Sequence, residues 1–108
     1  MSPISITAKN FDDEVAACPQ PVLLDFWAAW CGPCKMQTPI IEKLCETRTD
    51  IKVGTVNVDE QFELAVRYNV MSIPTLMVFQ AGKAVRRAVG LQEEADIEAL
   101  LEGLSPQE

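Results

Sequence analysis

Two cysteines separated by two residues, Cys31 and Cys34, are the feature that most constrains this 108-residue chain. They follow the apolar run Val22–Trp27, which predicts a buried strand, and they precede residues 35–46, which predict a helix. A Cys-x-x-Cys pair at a strand-to-helix junction is typical of a redox motif. Because free N–H groups and the positive end of the helix dipole stabilise a thiolate, we expect one of these cysteines to be a nucleophile.

A zinc site is the main alternative interpretation of the cysteine pair. A structural zinc ion usually takes four Cys or His ligands. The chain has no His, and its only other thiols, Cys18 and Cys45, do not form a second Cys-x-x-Cys pair. The ligand set therefore predicts no metal site. We expect Cys18 and Cys45 to be free, buried cysteines, with a regulatory or intermolecular disulfide as the alternative.

Composition and length predict one domain over residues 1–108, because a chain that is 48% hydrophobic can bury a core of its own. A net charge of −7 disfavours nucleic-acid binding. The sequence has no apolar stretch of about 20 residues, so no contact with the membrane interior is expected. Residues 1–14 lack the basic and apolar regions of a signal peptide, which predicts a cytoplasmic protein.

The pattern of apolar residues predicts strands and helices that alternate along most of the chain. Strands are expected at residues 4–7, 22–27, 51–58, 75–80 and 84–89, and helices after Asn10, at 35–46, after Asp59 and at 92–104. Asn10 and Asp59 are expected to cap the helices that follow them, and Asn69 is expected to end the helix after Asp59 in a left-handed conformation. Early crossovers imply parallel pairing, and a late hairpin at 81–83 implies an antiparallel edge. The predicted fold is therefore α/β, with a five-stranded mixed β-sheet flanked by four helices.

The chain resembles the thioredoxin family over nearly its whole length. The resemblance rests on residues 25–28, 30–35, 57–59, 73–75 and 89–90, together with Pro39 and Gly82. It implies a thioredoxin fold and the activity of a general protein-disulfide reductase, which is an enzyme that exchanges dithiols for disulfides and carries electrons. It also implies that the protein holds no bound cofactor.

The order of the two cysteines assigns their roles. Cys31 stands first, at the expected helix end, where dipole and exposure both favour a thiolate, so it is predicted to attack a substrate disulfide. Cys34 lies one helical turn further on and is predicted to resolve the mixed disulfide. Resemblance to thioredoxins implies the same order. Gly32 and Pro33 add no positive charge between the thiols, which predicts a reducing protein rather than an oxidising one.

Asp25 is the one acidic residue of the apolar run at 22–27. A buried carboxylate must be paired or protonated, because an unpaired buried charge is costly. Two interpretations follow from the residue alone: a structural Asp bonded to backbone, or a proton acceptor for Cys34. The resemblance implies the second. Many thioredoxins carry a Lys near this Asp, whereas here Gly54 or Thr55 stands at that position.

A substrate groove is predicted around the cysteines. Trp30 lies in the loop before Cys31 and offers an apolar contact surface. The resemblance implies that Ile73 and Pro74 form a cis-proline loop against the disulfide, and that Gly90 completes the groove.

The resemblance implies two kinds of partner: disulfide-containing client proteins, such as reductases and peroxidases, and a thioredoxin reductase that supplies electrons from NADPH or ferredoxin. The protein is expected to be a monomer. Two other functions are weighed against this one. A disulfide oxidase or isomerase is disfavoured by the Gly32-Pro33 insert, and a purely structural binding module is disfavoured by the intact cysteine pair.

Overall fold

The computed structural model of the chain describes residues 2–104. The ends of the predicted domain, residue 1 and residues 105–108, lie outside the described residues. The single-domain boundary at 1–108 therefore stays a prediction.

Five strands form one mixed sheet in the order β1-β3-β2-β4-β5. The strands are β1 (Ile4–Ser5), β2 (Val22–Trp27), β3 (Lys52–Asn57), β4 (Thr75–Gln80) and β5 (Lys83–Val89). β3 pairs in parallel with β1 and β2, whereas β4 pairs antiparallel with β2 and β5. The predicted five-stranded mixed sheet is confirmed, although β1 is shorter than the strand expected at residues 4–7.

Four helical segments flank the sheet. They are a π-helical turn (Asp12–Ala16), α1 (Gly32–Thr47), α2 (Phe62–Arg67) and α3 (Glu94–Leu101). α1 begins at Gly32, earlier than predicted, because Pro33 is compatible with the first helical turn. α3 begins later than residue 92, because Glu93 and Asp96 form a reciprocal capping box that fixes its start. Among residues 2–104, no helix has the length and apolar character needed to cross a bilayer.

The central strand β2 is buried on both faces, as its continuous apolar run predicts. Leu24 and Phe26 point into a core with Phe11 of the N-terminal segment. Leu23 points to the opposite face, where it packs with residues of α1 and α3. Since side chains alternate along a strand, Asp25 lies on the same face as Leu23, between β2 and α1.

Local turn chemistry ends several elements as the sequence predicts. Asn69 takes a left-handed conformation (φ 55°) after α2. Ala81 and Gly82 both have positive φ (52° and 80°), which suits the twist of the tight hairpin between β4 and β5.

Two predicted helix caps are wrong. The Asn10 side chain accepts a hydrogen bond from the Thr7 backbone N–H at 2.7 Å, so it stabilises the preceding turn instead of a helix start. Asp59 does not cap α2, whose N-cap residue is Gln61 and makes no side-chain capping bond. The carboxylate of Asp59 is bonded to Trp30 instead.

Candidate active site

The two cysteines lie at the N-terminus of α1, directly after β2. Cys31 is the N-cap residue with an extended backbone, and the two residues that follow it occupy the first helical positions. Cys31 and Cys34 form a disulfide, with their Cα atoms 5.3 Å apart. Cys31 Sγ accepts a hydrogen bond from the Cys34 backbone N–H at 3.2 Å. This sulfur therefore accepts a hydrogen bond from one of the N–H groups that have no intrahelical partner at the start of the helix.

Both cysteines are buried, whereas Cys31 was expected to be exposed. Cys31 is 5% exposed and Cys34 is 1% exposed, so the expectation of an exposed Cys31 is wrong for this disulfide form. Cys31 packs against Ala28 and partly buried side chains around it, including Ile73. What distinguishes Cys31 from Cys34 is its N-cap position and the N–H that it accepts. Cys18 is a buried free thiol, and Cys45 is free and partly exposed.

A second loop lies against the disulfide. The carbonyl oxygen of Ile73 is 3.7 Å from Cys31 Sγ. The Ile73–Pro74 peptide bond is cis, as the resemblance implies. The Gly90 backbone N–H donates to the Pro74 carbonyl at 2.8 Å, which joins this loop to the end of β5. Ile73 thus lies beside Cys31, and Pro74 connects this loop to Gly90.

Trp30 is held in place although its surface is exposed. The side chain is 70% exposed, and its indole Nε1 donates to Asp59 Oδ2 at 2.9 Å. The Asn57 side-chain oxygen accepts the Asp59 backbone N–H at 2.9 Å and so orders the start of this turn. Trp30 could be assigned to the site from the sequence, but Asp59 could not, because an Asp after a strand equally predicts a helix cap.

A buried glutamine is a further residue of the site that the sequence did not predict. Gln37 of α1 is 0% exposed. Its amide donates to the Gln92 carbonyl at 3.0 Å and accepts the Gln92 N–H at 2.8 Å. The Gln92 side chain in turn donates to the Gly90 carbonyl at 3.1 Å. These bonds anchor the segment after Gly90 to the helix that carries the cysteines. A Gln on the buried face of α1 is the only sequence signal for this role.

Asp25 is a buried acid in the layer between β2 and α1. It is 2% exposed, and its register partners are Thr55 on β3 and Leu76 on β4. Its Oδ1 has no hydrogen-bond partner among the described residues. Burial disfavours the carboxylate and raises the pKa of Asp25 to about 7. Cys34 is buried on the inward face of α1 and so borders the same layer. An acid with this pKa can take up or release a proton near neutral pH.

The chain is similar in sequence and in structure to known proteins. The family model described as Thioredoxin matches residues 2–103. Thioredoxin from Mycobacterium tuberculosis is 45% identical over 103 residues, which are 94% of this chain and 86% of that protein. A Mycobacterium leprae protein named bifunctional thioredoxin reductase/thioredoxin is 44% identical over 94% of this chain and 22% of its own length. The solved structure of a point-mutant thioredoxin from Halobacterium salinarum superposes with a TM-score of 0.88 and 38% identity, covering 99% of this chain and 94% of that one.

Proposed function

Because the chain belongs to the thioredoxin family and carries its redox-active cysteine pair, we propose that this thiol–disulfide oxidoreductase is a general protein-disulfide reductase that maintains cytoplasmic redox balance. The observation that supports it most is the position of the disulfide at the start of α1, where Cys31 Sγ accepts the Cys34 N–H. In the dithiol form, the same N–H and the helix dipole stabilise a thiolate at Cys31. Gly32 and Pro33 add no charge that would favour the dithiol further.

The reaction is two consecutive thiol–disulfide exchanges. The Cys31 thiolate attacks one sulfur of a client disulfide, a mixed disulfide forms, and the other client sulfur leaves as a thiolate and takes a proton. The Cys34 thiol then gives its proton to Asp25, and its thiolate attacks Cys31 Sγ. The second client sulfur leaves as a thiolate, and the Cys31–Cys34 disulfide closes. The client disulfide gains two electrons and the cysteine pair loses two.

The electron donor in this proposal is a thioredoxin reductase, fed by NADPH through a flavin or by ferredoxin. Support comes from the Mycobacterium leprae relative, whose name joins a thioredoxin reductase to a thioredoxin in one protein. The reductase restores the dithiol by reducing the Cys31–Cys34 disulfide. No group bound to the chain itself is needed for this cycle.

Clients are proposed to bind at the surface around the disulfide as extended segments. Trp30 offers an exposed aromatic face, Ile73 lies beside Cys31, and Gly90 is hydrogen-bonded to Pro74 of the same loop. The protein is proposed to act as a monomer in the cytoplasm.

Turnover of insulin disulfides with NADPH and a thioredoxin reductase tests the proposal. The wild-type protein should catalyse NADPH oxidation, and Cys31→Ser should abolish it. Cys34→Ser should accumulate as a mixed disulfide with insulin chains, detectable by mass spectrometry, because the resolving thiol is absent. Cys45→Ser is the matched control, and it should retain full activity. Normal turnover by Cys34→Ser would contradict the assigned order of roles.

A further inference from the structure

Arg87 of β5 holds the start of loop 68–74, the segment that connects α2 to β4. Its guanidinium donates to the carbonyl oxygens of Tyr68 and Asn69, the second at 3.2 Å. Carbonyl oxygens at the end of a helix have no intrahelical partner, and a cation there also meets the negative end of the helix dipole. Because a guanidinium presents several N–H donors in one plane, Arg87 can bond both carbonyls at once. The end of α2 is therefore tied to β5 by a side chain.

The turn after α2 leaves these two carbonyl oxygens for Arg87. Asn69 has a left-handed φ of 55°, and its N–H donates to the Val66 carbonyl at 3.1 Å. The next N–H, that of Val70, donates to the Ala65 carbonyl at 2.8 Å. These two bonds form a Schellman motif, which provides partners for carbonyls inside α2. The carbonyls that follow lie beyond the motif, and Arg87 bonds them instead.

The other end of loop 68–74 lies against the disulfide. The Ile73 carbonyl oxygen is 3.7 Å from Cys31 Sγ, and the Pro74 carbonyl accepts the Gly90 N–H at 2.8 Å. Gly90 directly follows β5. The loop is thus bonded at both ends to one end of the same strand, so its position beside the disulfide depends on how β5 holds it.

Met71 is the exposed tip of this loop. It is 86% exposed, whereas Val70 and Ile73 are partly buried against the core. A thioether side chain is flexible and polarizable, so it suits contact with apolar surfaces of varied shape. The Cα atom of Met71 is at most about 7 Å from that of Ile73, because the two residues are two positions apart in the chain. The loop therefore presents an apolar side chain close to the disulfide.

We propose that Arg87 is a positioning residue for client binding, which holds loop 68–74 in the conformation that presents Met71 to a client at the disulfide. The inference rests on the proposed function as a disulfide reductase. Without the two bonds of Arg87, the loop would sample more conformations, and ordering it against a client would cost conformational entropy. Client affinity should then fall, whereas the exchange reaction of Cys31 depends on the start of α1 and should keep its rate.

Arg86, the preceding residue of β5, provides a matched control. Its guanidinium donates to the carbonyl oxygens of Leu100 and Glu102 at the end of α3, both at 2.7 Å. Successive side chains of a strand point to opposite faces, so Arg86 and Arg87 make the same kind of contact with different helices. Removing Arg86 therefore loses a comparable anchor without releasing loop 68–74.

The test measures how fast the pre-reduced proteins react with two disulfides in a single turnover. Insulin is a protein client, whereas bis(2-hydroxyethyl) disulfide is a small molecule that needs no docking surface. Arg87→Ala should slow the reaction with insulin about three- to tenfold and leave the reaction with the small disulfide unchanged. Arg86→Ala should match the wild type with both. Equal insulin rates for the two variants, or an equal loss with both disulfides in Arg87→Ala, would overturn the proposal.

Further variants separate the effect of the bonds from that of folding. Arg87→Met keeps most of the hydrocarbon stem but has no N–H donor, so it should behave like Arg87→Ala and carries the test if that variant does not fold. Arg87→Lys keeps a charged donor and should recover part of the insulin rate. NMR relaxation of the Met71 and Ser72 amides in the disulfide form should show greater mobility in Arg87→Met than in Arg86→Met.

The outcomes distinguish this inference from the function on which it rests. A wild-type protein that reduces neither disulfide would overturn the proposed function and this inference with it. A wild type that reduces insulin, beside Arg87 variants with the same insulin rate, would overturn this inference alone. Unchanged mobility of Met71 in Arg87→Met would do the same, because a positioning role requires that the loop be released.

Discussion

The indole Nε1 of Trp30 donates to Asp59 Oδ2 at 2.9 Å, and this bond orients an aromatic side chain that is 70% exposed. Without it, an exposed Trp would sample several rotamers, and ordering it would oppose client binding. Asp59 lies at the end of β3, on a turn that the Asn57 side chain also stabilises. The exposed Trp surface is thus positioned by the sheet and not by its own loop alone.

Asp59→Ala should weaken client binding by a few-fold, because a hydrogen bond of this kind contributes about 1 kcal/mol. The Michaelis constant for insulin should rise while the maximal rate stays close to wild type. Asp59→Asn retains an acceptor oxygen and should restore most of the affinity. Indole N–H relaxation by NMR should report greater mobility of Trp30 in the Ala variant only. Equal Michaelis constants for all three proteins would rule out this positioning role.

Asp25→Ala should stabilise the disulfide form at pH 8 but not near pH 4. In the folded protein, burial raises the pKa of Asp25 from 3.8 to about 7, so between these values the native state holds a proton that the unfolded state has lost. Stability contributed by this group is therefore present below about pH 4 and is lost as pH rises through 7. The pKa difference between the folded and unfolded states corresponds to roughly 4 kcal/mol of unfolding free energy at pH 8. The gain observed for Asp25→Ala should be smaller than this, because the shorter side chain loses packing contacts.

Urea unfolding of the wild type and Asp25→Ala at several pH values measures this effect. The gain in the free energy of unfolding should grow from pH 4 to pH 8 and then level off. Glu63→Ala removes an exposed acid and serves as the control, for which no comparable pH-dependent gain is expected. A gain that does not change with pH would show that Asp25 is ionised to the same extent in both states.

Gln37→Ala should lower the free energy of unfolding by about 1–3 kcal/mol, because it leaves the Gln92 N–H and carbonyl without their partner. Hydrogen exchange of the Gln92 amide should become faster. Gln20→Ala is a matched control, since the Gln20 amide makes a single bond to the Thr49 carbonyl at 3.3 Å near the surface. Gln20→Ala should lower the free energy of unfolding by no more than about 0.5 kcal/mol. Similar losses for both variants would argue against a special role for Gln37.

Pro33→His should raise the reduction potential, because an imidazolium between the cysteines stabilises the Cys31 thiolate of the reduced form. A rise of about 30 mV would be a tenfold change in the equilibrium constant with glutathione. The rise should shrink above about pH 8, where the imidazole is neutral. Pro33→Ala separates loss of the proline from gain of charge. A potential equal in the His and Ala variants at pH 6 would contradict this electrostatic explanation.

The strands and turns of the fold could be predicted because local sequence patterns are compatible with only one type of element. The apolar run of β2 has no polar face, so it predicts a strand covered on both sides, as the two cores around Leu23 and Leu24 confirm. Ala81 and Gly82 lie between two apolar segments and predict a hairpin, which their positive φ angles confirm. In each case the residues that predict the element lie within it or a few positions away.

The hydrogen-bond partners of polar side chains are harder to predict. The two partners are often far apart in the sequence, and each side chain could also bond to a nearby backbone group. Asp59 has two possible uses, a cap for α2 and an acceptor for Trp30, which lies 29 residues away. Gln37 bonds to a segment 55 residues away, and its place on the buried face of α1 does not identify that partner. By contrast, the absence of a Lys opposite Asp25 could be read from the sequence, and the register partner is Thr55.

The hydrogen bond from the Gly90 N–H to the Pro74 carbonyl has a consequence for how clients are recognised. Thr75 begins β4 and Val89 ends β5, so the two segments beside the disulfide are the open ends of one hairpin. The distance between these two segments is fixed when the hairpin forms. The conformational entropy that they lose is therefore lost on folding and not on client binding. If clients bind at this surface as proposed, clients of unrelated sequence share one rigid docking edge, and most of the conformational entropy lost on binding is that of their own chains.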